Sequence, residues 1–192
     1  MPSKEHELTE EEFLAQYDAS QYPKPSVTVD TVIFRKIGAQ LQVLLVKRGN
    51  HPCRGLWALP GGFLNMEENL DEAAARELAE ETSVSTDLLE EFGVYGAVGR
   101  DKRDRVITIA YAALLEDEVQ EKAGDDAAEC AWFDLRTHIT ADRLKIELKG
   151  ATEILQAEVS WQISALSGRA RSKEIITSDL AFDHALILAD GY

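Results

Sequence analysis

The stretch from Pro60 to Val84 leaves this chain the fewest options. Pro60-Gly61-Gly62 is a sharp backbone feature where the missing Cβ atoms can bring backbone close to a ligand. It stands just upstream of a helical pattern from about Asn69 to Thr82. At about 100° per residue, Glu77, Glu80 and Glu81 share one arc of that helix, with Leu70 and Ala73 one to two turns earlier. A structural helix continues an apolar stripe along such a face. Here three carboxylates replace it. Like charges at i, i+3 and i, i+4 cost only about 0.2–0.5 kcal/mol per pair on an exposed helix. A solvated acidic face therefore stays open as an explanation, as does an ordinary turn for the glycines. The other reading is a metal-binding face. Mg²⁺ takes a few carboxylates and keeps waters and substrate phosphates as its remaining ligands. Glu77, Glu80 and Glu81 can supply the carboxylates, and Arg76 can pair with Glu68 to hold the preceding loop against the helix.

Around this stretch the chain reads as many strands with two or three helices, an α/β or α+β pattern. Residues 1–21 form a polar arm with one short helix. Thr9 and Glu12 have capping-box spacing, and Phe13, Leu14 and Tyr17 give the helix something to dock with. Tyr22-Pro23-Lys24-Pro25 opens a folded body over 22–192. Strands are expected at 26–35, 41–46, 92–98, 105–115 and 129–133, with a charged loop at 116–126. A hairpin is expected from 143–148 and 154–163 around Gly150, then a polar loop at 167–174 and a short helix near 180–189. The chain has 192 residues, enough to bury one core. Its longest apolar run is far too short for a membrane span, and its start lacks the apolar stretch of a secretory signal. Two cysteines, Cys53 and Cys130, exclude a disulfide-stapled scaffold. A cytoplasmic setting without membrane or zinc chemistry is expected.

Gly62, Glu68, Arg76, Glu77, Leu78, Glu80, Glu81 and Val84 together resemble the signature of the Nudix hydrolase family. The departure is Ser83, where the family has a glycine that ends the helix in a left-handed conformation. The resemblance extends to Trp57–Phe63 and to the segments YPKPSVTVD, VLLVKRG, GRDKRDRVITIAYAAL and AFDHA. These look like a bacterial branch that includes ADP-ribose pyrophosphatase-like proteins. The resemblance implies a Nudix-type α/β/α sandwich around a mixed sheet, covering roughly residues 22–134 and the C-terminal helix.

The resemblance also implies a chemistry. Glu77, Glu80 and Glu81 would hold Mg²⁺, with Mn²⁺ as a substitute, for hydrolysis of the pyrophosphate of a small nucleotide. ADP-ribose is favoured, giving AMP and ribose 5-phosphate. A nucleoside triphosphate, dinucleoside polyphosphate or sugar nucleotide is the alternative. Glu80 is the candidate base, with Asp125, Asp126 and Glu129 as outside donors. An anionic substrate needs local cations in a chain of net charge −15. Arg48 and Arg54 are the favoured phosphate contacts, Arg103 a weaker one, and Gly61 and Gly62 bring backbone to the ligand. Arg103 stands in Arg100-Asp101-Lys102-Arg103, where related proteins often have Arg-Asp-Pro-Arg, which weakens the case for ADP-ribose. Trp57 can stack on a base but reads more readily as core, Trp132 reads as core, and His184 as a structural hydrogen-bonding residue. His51 has no evident partner.

The same branch includes regulators in which a Nudix-like domain precedes a winged helix. Too little chain follows residue 134 for such a domain once the body is complete, and the acidity opposes unaided DNA binding. No nucleic-acid partner is expected, while a homodimer, with the arm docked on a partner, is.

Overall fold

A computed structural model describes residues 8–115, 127–165, 168 and 170–192, the side chains of 127 and 128 excepted. The charged stretch 116–126, with Asp125 and Asp126, lies outside the described residues. Ten strands form one mixed sheet: β1 (Ser26–Ile37), β2 (Gln40–Arg48), β3 (Trp57–Ala58), β4 (Gly61–Phe63), β5 (Glu90–Tyr95), β6 (Val106–Leu115), β7 (Ala127–Ile139), β8 (Arg143–Lys149), β9 (Ile154–Ile163) and β10 (Ala170–Ser178). Their order is β10-β9-β8-β7-β2-β1-β6-β5, with β3 added to β2 and β4 to β1. β1 and β6 run parallel, Ser26 opposite Val106 through Arg35 opposite Leu115. The other pairings are antiparallel.

Side chains alternate across the central strands, as the pleat requires. Val32, Phe34, Val43 and Leu45 face one side, where β8 and β9 curl over and the helix α3 (His184–Gly191) packs. Ile33 and Leu44 face the other, against Leu78, and Val29 meets Ala73 and Ala74. Those last residues belong to the helix α2 (Leu70–Thr82), so the two helices cover opposite faces. β1 is buried on both faces over its middle, and Thr28, Asp30 and Thr31 are buried there among the apolar residues. Asp190 on α3 closes the curl: it accepts the Tyr95 hydroxyl of β5 at 2.9 Å and the Ser172 amide of β10 at 2.6 Å.

Several expected bounds shift. The strand expected at 92–98 is β5 at 90–95, and that at 129–133 extends to 127–139. The polar loop expected over 167–174 is a correction: 170–178 is the strand β10. Two register irregularities against β9 interrupt its alternation, so no period of two shows in the sequence. The last helix begins at His184 and not near Leu180, because Leu180 pairs with Trp57 as an isolated bridge.

In the arm, α1 (Glu10–Gln16) carries the expected capping box. The Glu12 amide donates to the Thr9 hydroxyl at 3.2 Å and the Thr9 amide to the Glu12 carboxylate at 2.9 Å. Phe13, Leu14 and Tyr17 each keep about half or more of their surface exposed; the Phe13 and Tyr17 rings meet at 5.7 Å and Tyr17 stacks on Tyr22 at 6.5 Å. No helix among the described residues is long and apolar enough to cross a membrane.

Candidate functional site

A cleft of about 480 Å³ opens where β1, β2 and β4 meet α2. Its volume is in the range of small-ligand sites. Gly61, Gly62, Arg76, Glu77, Glu80, Glu81, Arg48 and Arg103 all line it, and so does His51. Arg54 does not: it is exposed in the loop after β2.

Two glycines bring the strand against the carboxylate face. A Cβ on Gly61 would run into the Val29 carbonyl oxygen, and one on Gly62 would lie about 2.5 Å from the Glu77 carboxylate. The Gly61 amide donates to Glu81 Oε2 at 2.9 Å. The strand entry is itself pinned. Thr31 donates its amide and its hydroxyl to the Pro60 carbonyl at 2.8 and 3.1 Å. The Leu59 amide donates to His184 Nδ1 at 2.8 Å, and the Ala181 amide to the Trp57 carbonyl at 2.8 Å. His184 thus has the structural role expected of it, and Trp57 is core, edge-on to Phe133 at 4.8 Å. Trp132 is core as well.

Arg76 organises the acidic side. Its Nε and Nη2 grip the Glu68 carboxylate at 2.9 and 2.6 Å, Nη2 also reaches the Phe63 carbonyl at 3.1 Å, and Nη1 reaches Glu77 at 2.8 Å and Glu80 at 3.1 Å. A planar fork suits this multiple grip better than an ammonium. These bonds, with one from the Asn65 amide, hold Glu68 down to about 2. Glu77 and Glu81 go the other way. Burial raises Glu77, and it pushes Glu81 up to about 7, with Glu77 and Asp30 adding repulsion and the Gly61 amide opposing. Glu80 is the most open of the three, its side chain 60% exposed.

The left-handed turn that ends α2 is present without glycine: Ser83 adopts φ 59°, ψ 15° and its amide returns to the Ala79 carbonyl at 2.9 Å. The missing glycine therefore leaves the helix terminus and the register of Glu80 and Glu81 intact.

The opposite wall is cationic and aromatic. Arg48 donates from Nε to the Pro52 carbonyl at 2.9 Å and lies over the Phe182 ring at 4.8 Å. Arg103, bound to Asp101 at 2.7 Å, lies over Phe63 at 5.1 Å and Phe182 at 5.9 Å. Lys47 also lines the cleft, but its ammonium is engaged by Glu153 at 3.2 Å and Glu129 at 3.6 Å. Glu129 is thereby occupied outside the carboxylate face. Below them, Arg100 donates to both oxygens of Asp183 at 2.9 and 2.7 Å and stands 3.5 Å from buried Asp30. The sequence pattern alone does not mark Asp30, Phe63, Phe182 or Asp183 as site residues. They lie in YPKPSVTVD, WALPGGF and AFDHA, segments that carry the family resemblance.

The NUDIX domain family model matches residues 24–153. The chain belongs to this family. Among its NUDIX relatives is the ADPR responsive transcriptional repressor NtrR of Acinetobacter baylyi, 38% identical over 70% of this chain and 54% of that protein. Another is the ADP-ribose pyrophosphatase of Methanocaldococcus jannaschii, 41% identical over 59% of this chain and 64% of that protein. The chain thus spans just over half to just under two thirds of these relatives' lengths. Among solved structures, a MutT/nudix family protein from Enterococcus faecalis superposes with a TM-score of 0.76 at 34% identity, covering 96% of this chain and 68% of that one. The NUDIX domain of Shewanella oneidensis NrtR complexed with ADP ribose superposes at 0.67 and 29% identity, covering 95% of this chain and 96% of that one. The Nudix α/β fold implied by the sequence is the fold observed.

Proposed function

We propose that this chain is a divalent-cation-dependent Nudix pyrophosphohydrolase, with ADP-ribose as its favoured substrate and AMP and ribose 5-phosphate as products. The observation that supports it most is the seating of half-buried Glu77 and Glu81 against Gly61 and Gly62, with Arg48 and Arg103 across the same cleft. The residues fit a divalent cation by their chemistry. Among the described residues no three acidic, histidine or cysteine side chains converge as they stand. Yet Glu77, Glu80 and Glu81 are oxygen donors on one face, suited to a hard ion. Burial holds two of them above the ordinary carboxylate range, so their charge lacks a full counter-charge. Mg²⁺ is favoured and Mn²⁺ is the substitute. When bound, such an ion offsets phosphate charge and makes a bound water more acidic.

The chain's own groups do the rest. Arg48 and Arg103 receive phosphate oxygens. The backbone at Gly61-Gly62 lets the pyrophosphate approach without a Cβ in its way. Arg76 keeps Glu77 and Glu80 in place. Glu80, the most exposed of the three, is positioned to take the proton of an attacking water. Incubating the purified protein with ADP-ribose, with and without Mg²⁺, and following AMP by chromatography tests this. Mg²⁺-dependent AMP supports it; a much higher kcat/KM on a triphosphate or sugar nucleotide would replace the substrate.

A second reading, an ADP-ribose-sensing regulator, is favoured by one observation: the near-complete match to the ADP-ribose-bound NUDIX domain of NrtR. ADP-ribose binding without AMP formation would support it. The net charge of −15 weighs against direct DNA contact by this chain, and salt-sensitive binding to a duplex would reverse that expectation. The half-exposed apolar residues of α1 suit a homodimer, which light scattering checks.

A further inference from the structure

One buried carboxylate has no part in the proposed hydrolysis. Asp30 lies on β1, opposite Gly61 of β4 on one side and Ala110 of β6 on the other. Pairing on both sides fixes where its side chain stands. That side chain is 9% exposed and lines the cleft. A buried carboxylate ordinarily accepts several hydrogen bonds. Two donors stand near this one, and both are engaged elsewhere. Arg100 Nη2 is 3.5 Å from Oδ2, while Arg100 Nε and Nη2 bond the two oxygens of Asp183 at 2.9 and 2.7 Å. His184 Nε2 is 3.7 Å from Oδ1, with the ring held at Nδ1 by the Leu59 amide. Among the described residues, none donates a hydrogen bond to the Asp30 carboxylate.

The charge there is in excess as well. Arg100 stands between Asp30 and Asp183, one cation for two carboxylates. Burial holds His184 below its ordinary range, which favours the neutral ring. An acceptor with excess negative charge calls for a donor, and the cleft is its open side. The surroundings select which donor. A phosphate oxygen is repelled. Gly61 adjoins both acidic groups: its amide meets Glu81 at 2.9 Å, and a Cβ on it would lie 2.8 Å from Asp30 Oδ1. Asp30 is thus about one residue's width from the carboxylate face. In a nucleotide the group bonded to phosphate is the sugar. With the pyrophosphate over Gly61 and Gly62, a ribose is what reaches Asp30.

We propose that Asp30 is a specificity-determining residue that accepts hydrogen bonds from the vicinal diol of a ribose 5-phosphate unit, so that the cleft takes ribose ligands over 2-deoxyribose ones. This role deepens, and rests on, the reading of the cleft as a nucleotide pyrophosphate site. Acidic side chains read ribose hydroxyls in the same way in dinucleotide folds. A site built to bond a substrate hydroxyl rejects the analogue without it, because the buried acceptor is then left short. ADP-ribose carries two ribose 5-phosphate units, and both present the same chemistry. Arg100 and His184 are positioning residues in this arrangement: they border Asp30 without occupying its lone pairs.

The test is calorimetric binding of two ligand pairs to the full chain, beside a Mn²⁺ titration. The pairs are AMP with 2′-deoxy-AMP, and ribose 5-phosphate with 2-deoxyribose 5-phosphate. In wild type one pair should differ by about tenfold or more in favour of the ribose form, the scale of a hydrogen bond to a charged group. The pair that differs tells which of the two sugars Asp30 reads. Asp30→Ala should bring that ratio close to one by weakening the ribose ligand, with its deoxy partner within about twofold. Asp30→Asn keeps a neutral acceptor in the same volume and should fall between. An unmoved deoxy ligand reports an intact cleft, which a merely structural role for Asp30 would not leave. Ratios near one for both pairs in wild type overturn the assignment, and that measurement needs no variant. So does a ratio that survives in Asp30→Ala. Weaker Mn²⁺ binding in Asp30→Ala with the ratio unchanged gives Asp30 to the cation and overturns it too. A ribose preference lost in Asp30→Ala, without any hydrolysis of ADP-ribose by wild type, would overturn the hydrolase reading and leave this one standing.

Discussion

The Gly61 amide donates to the Glu81 carboxylate at 2.9 Å, across the boundary between β4 and α2. That one bond joins the strand that bears the glycines to the helix that bears the acids. Because Glu81 is otherwise drawn into a low-dielectric setting, it is the residue whose loss is most legible. Glu81→Gln should keep the fold, since an amide fills the same space and its oxygen still accepts the Gly61 amide. Hydrolysis of ADP-ribose should fall about a hundredfold or more, the size of effect seen for groups that act directly on the reacting water or its cation. Steady-state kinetics beside a circular dichroism spectrum checks it. Near-normal turnover would remove Glu81 from the site.

The same residue predicts how stability depends on pH. In the cation-free protein burial pushes Glu81 up to about 7, against 4.5 for a glutamate in water. A raised carboxylate binds its proton more tightly in the folded state. Stability is therefore full below about pH 4.5 and falls as pH rises toward 7, by up to roughly 3 kcal/mol. The difference in Tm between wild type and Glu81→Gln, followed from pH 4.5 to 8, isolates this contribution. Wild type should lose ground steadily, and adding Mg²⁺ should recover more at pH 8 than at pH 5. A flat difference would contradict the burial argument.

The two glycines should fail differently. A methyl on Gly61 meets the Val29 carbonyl, which is backbone at the centre of the sheet and cannot yield. Gly61→Ala is expected to lower Tm by more than about 4 °C, the equivalent of over 1 kcal/mol for a chain of this length. A methyl on Gly62 meets only the end of the Glu77 side chain. Gly62→Ala should keep Tm within about 4 °C and lose activity, because Glu77 is displaced. Thermal melts and kinetics on the two variants separate them, and equal melting losses would contradict the distinction.

Asp190 should matter to stability and hardly to chemistry. It lies on α3 and binds Tyr95 and Ser172, which sit on strands at opposite ends of the sheet order. Asp190→Ala leaves both donors without that acceptor, a loss of about 2 kcal/mol and a Tm drop of roughly 4–8 °C. kcat on ADP-ribose at 25 °C should stay within about twofold of wild type, since a loss of stability alone leaves the folded fraction near one. Thermal melts and kinetics check the pair, and an unchanged Tm would show that water replaces the carboxylate.

Arg76→Lys should expose how much the fork matters. The guanidinium holds Glu68, Glu77, Glu80 and the Phe63 carbonyl together. An ammonium cannot reproduce the two-pronged grip on Glu68. Glu68, now held down to about 2 chiefly by Arg76, should titrate closer to the ordinary carboxylate value, as carbon-detected NMR can read. Activity should fall about tenfold or more, in line with the loss of a group that orients catalytic side chains.

The sequence by itself determined the local parts of this protein. The spacing of Glu77, Glu80 and Glu81, the Arg76–Glu68 pair and the Thr9 capping box are each set within about eight residues of chain, and the α2 pattern within thirteen. Helical geometry alone places them. The family, too, was legible, because its motif is a local spacing. What the tertiary structure decided is whatever needs distant segments to meet. Arg48 enters the cleft and Arg54 does not, though both are arginines near one loop. That outcome depends on which face of β2 a side chain takes and how the loop after it turns. β10 is a strand only because β9 offers it a partner; its bulges erase the alternation that marks a strand in isolation. Phe182 and Phe63 are 119 residues apart, and no periodicity connects them. They share a wall because Leu180 pairs with Trp57 and Ala181 bonds back to it. Short-range spacing thus fixes the carboxylate face, and long-range pairing chooses the wall it faces.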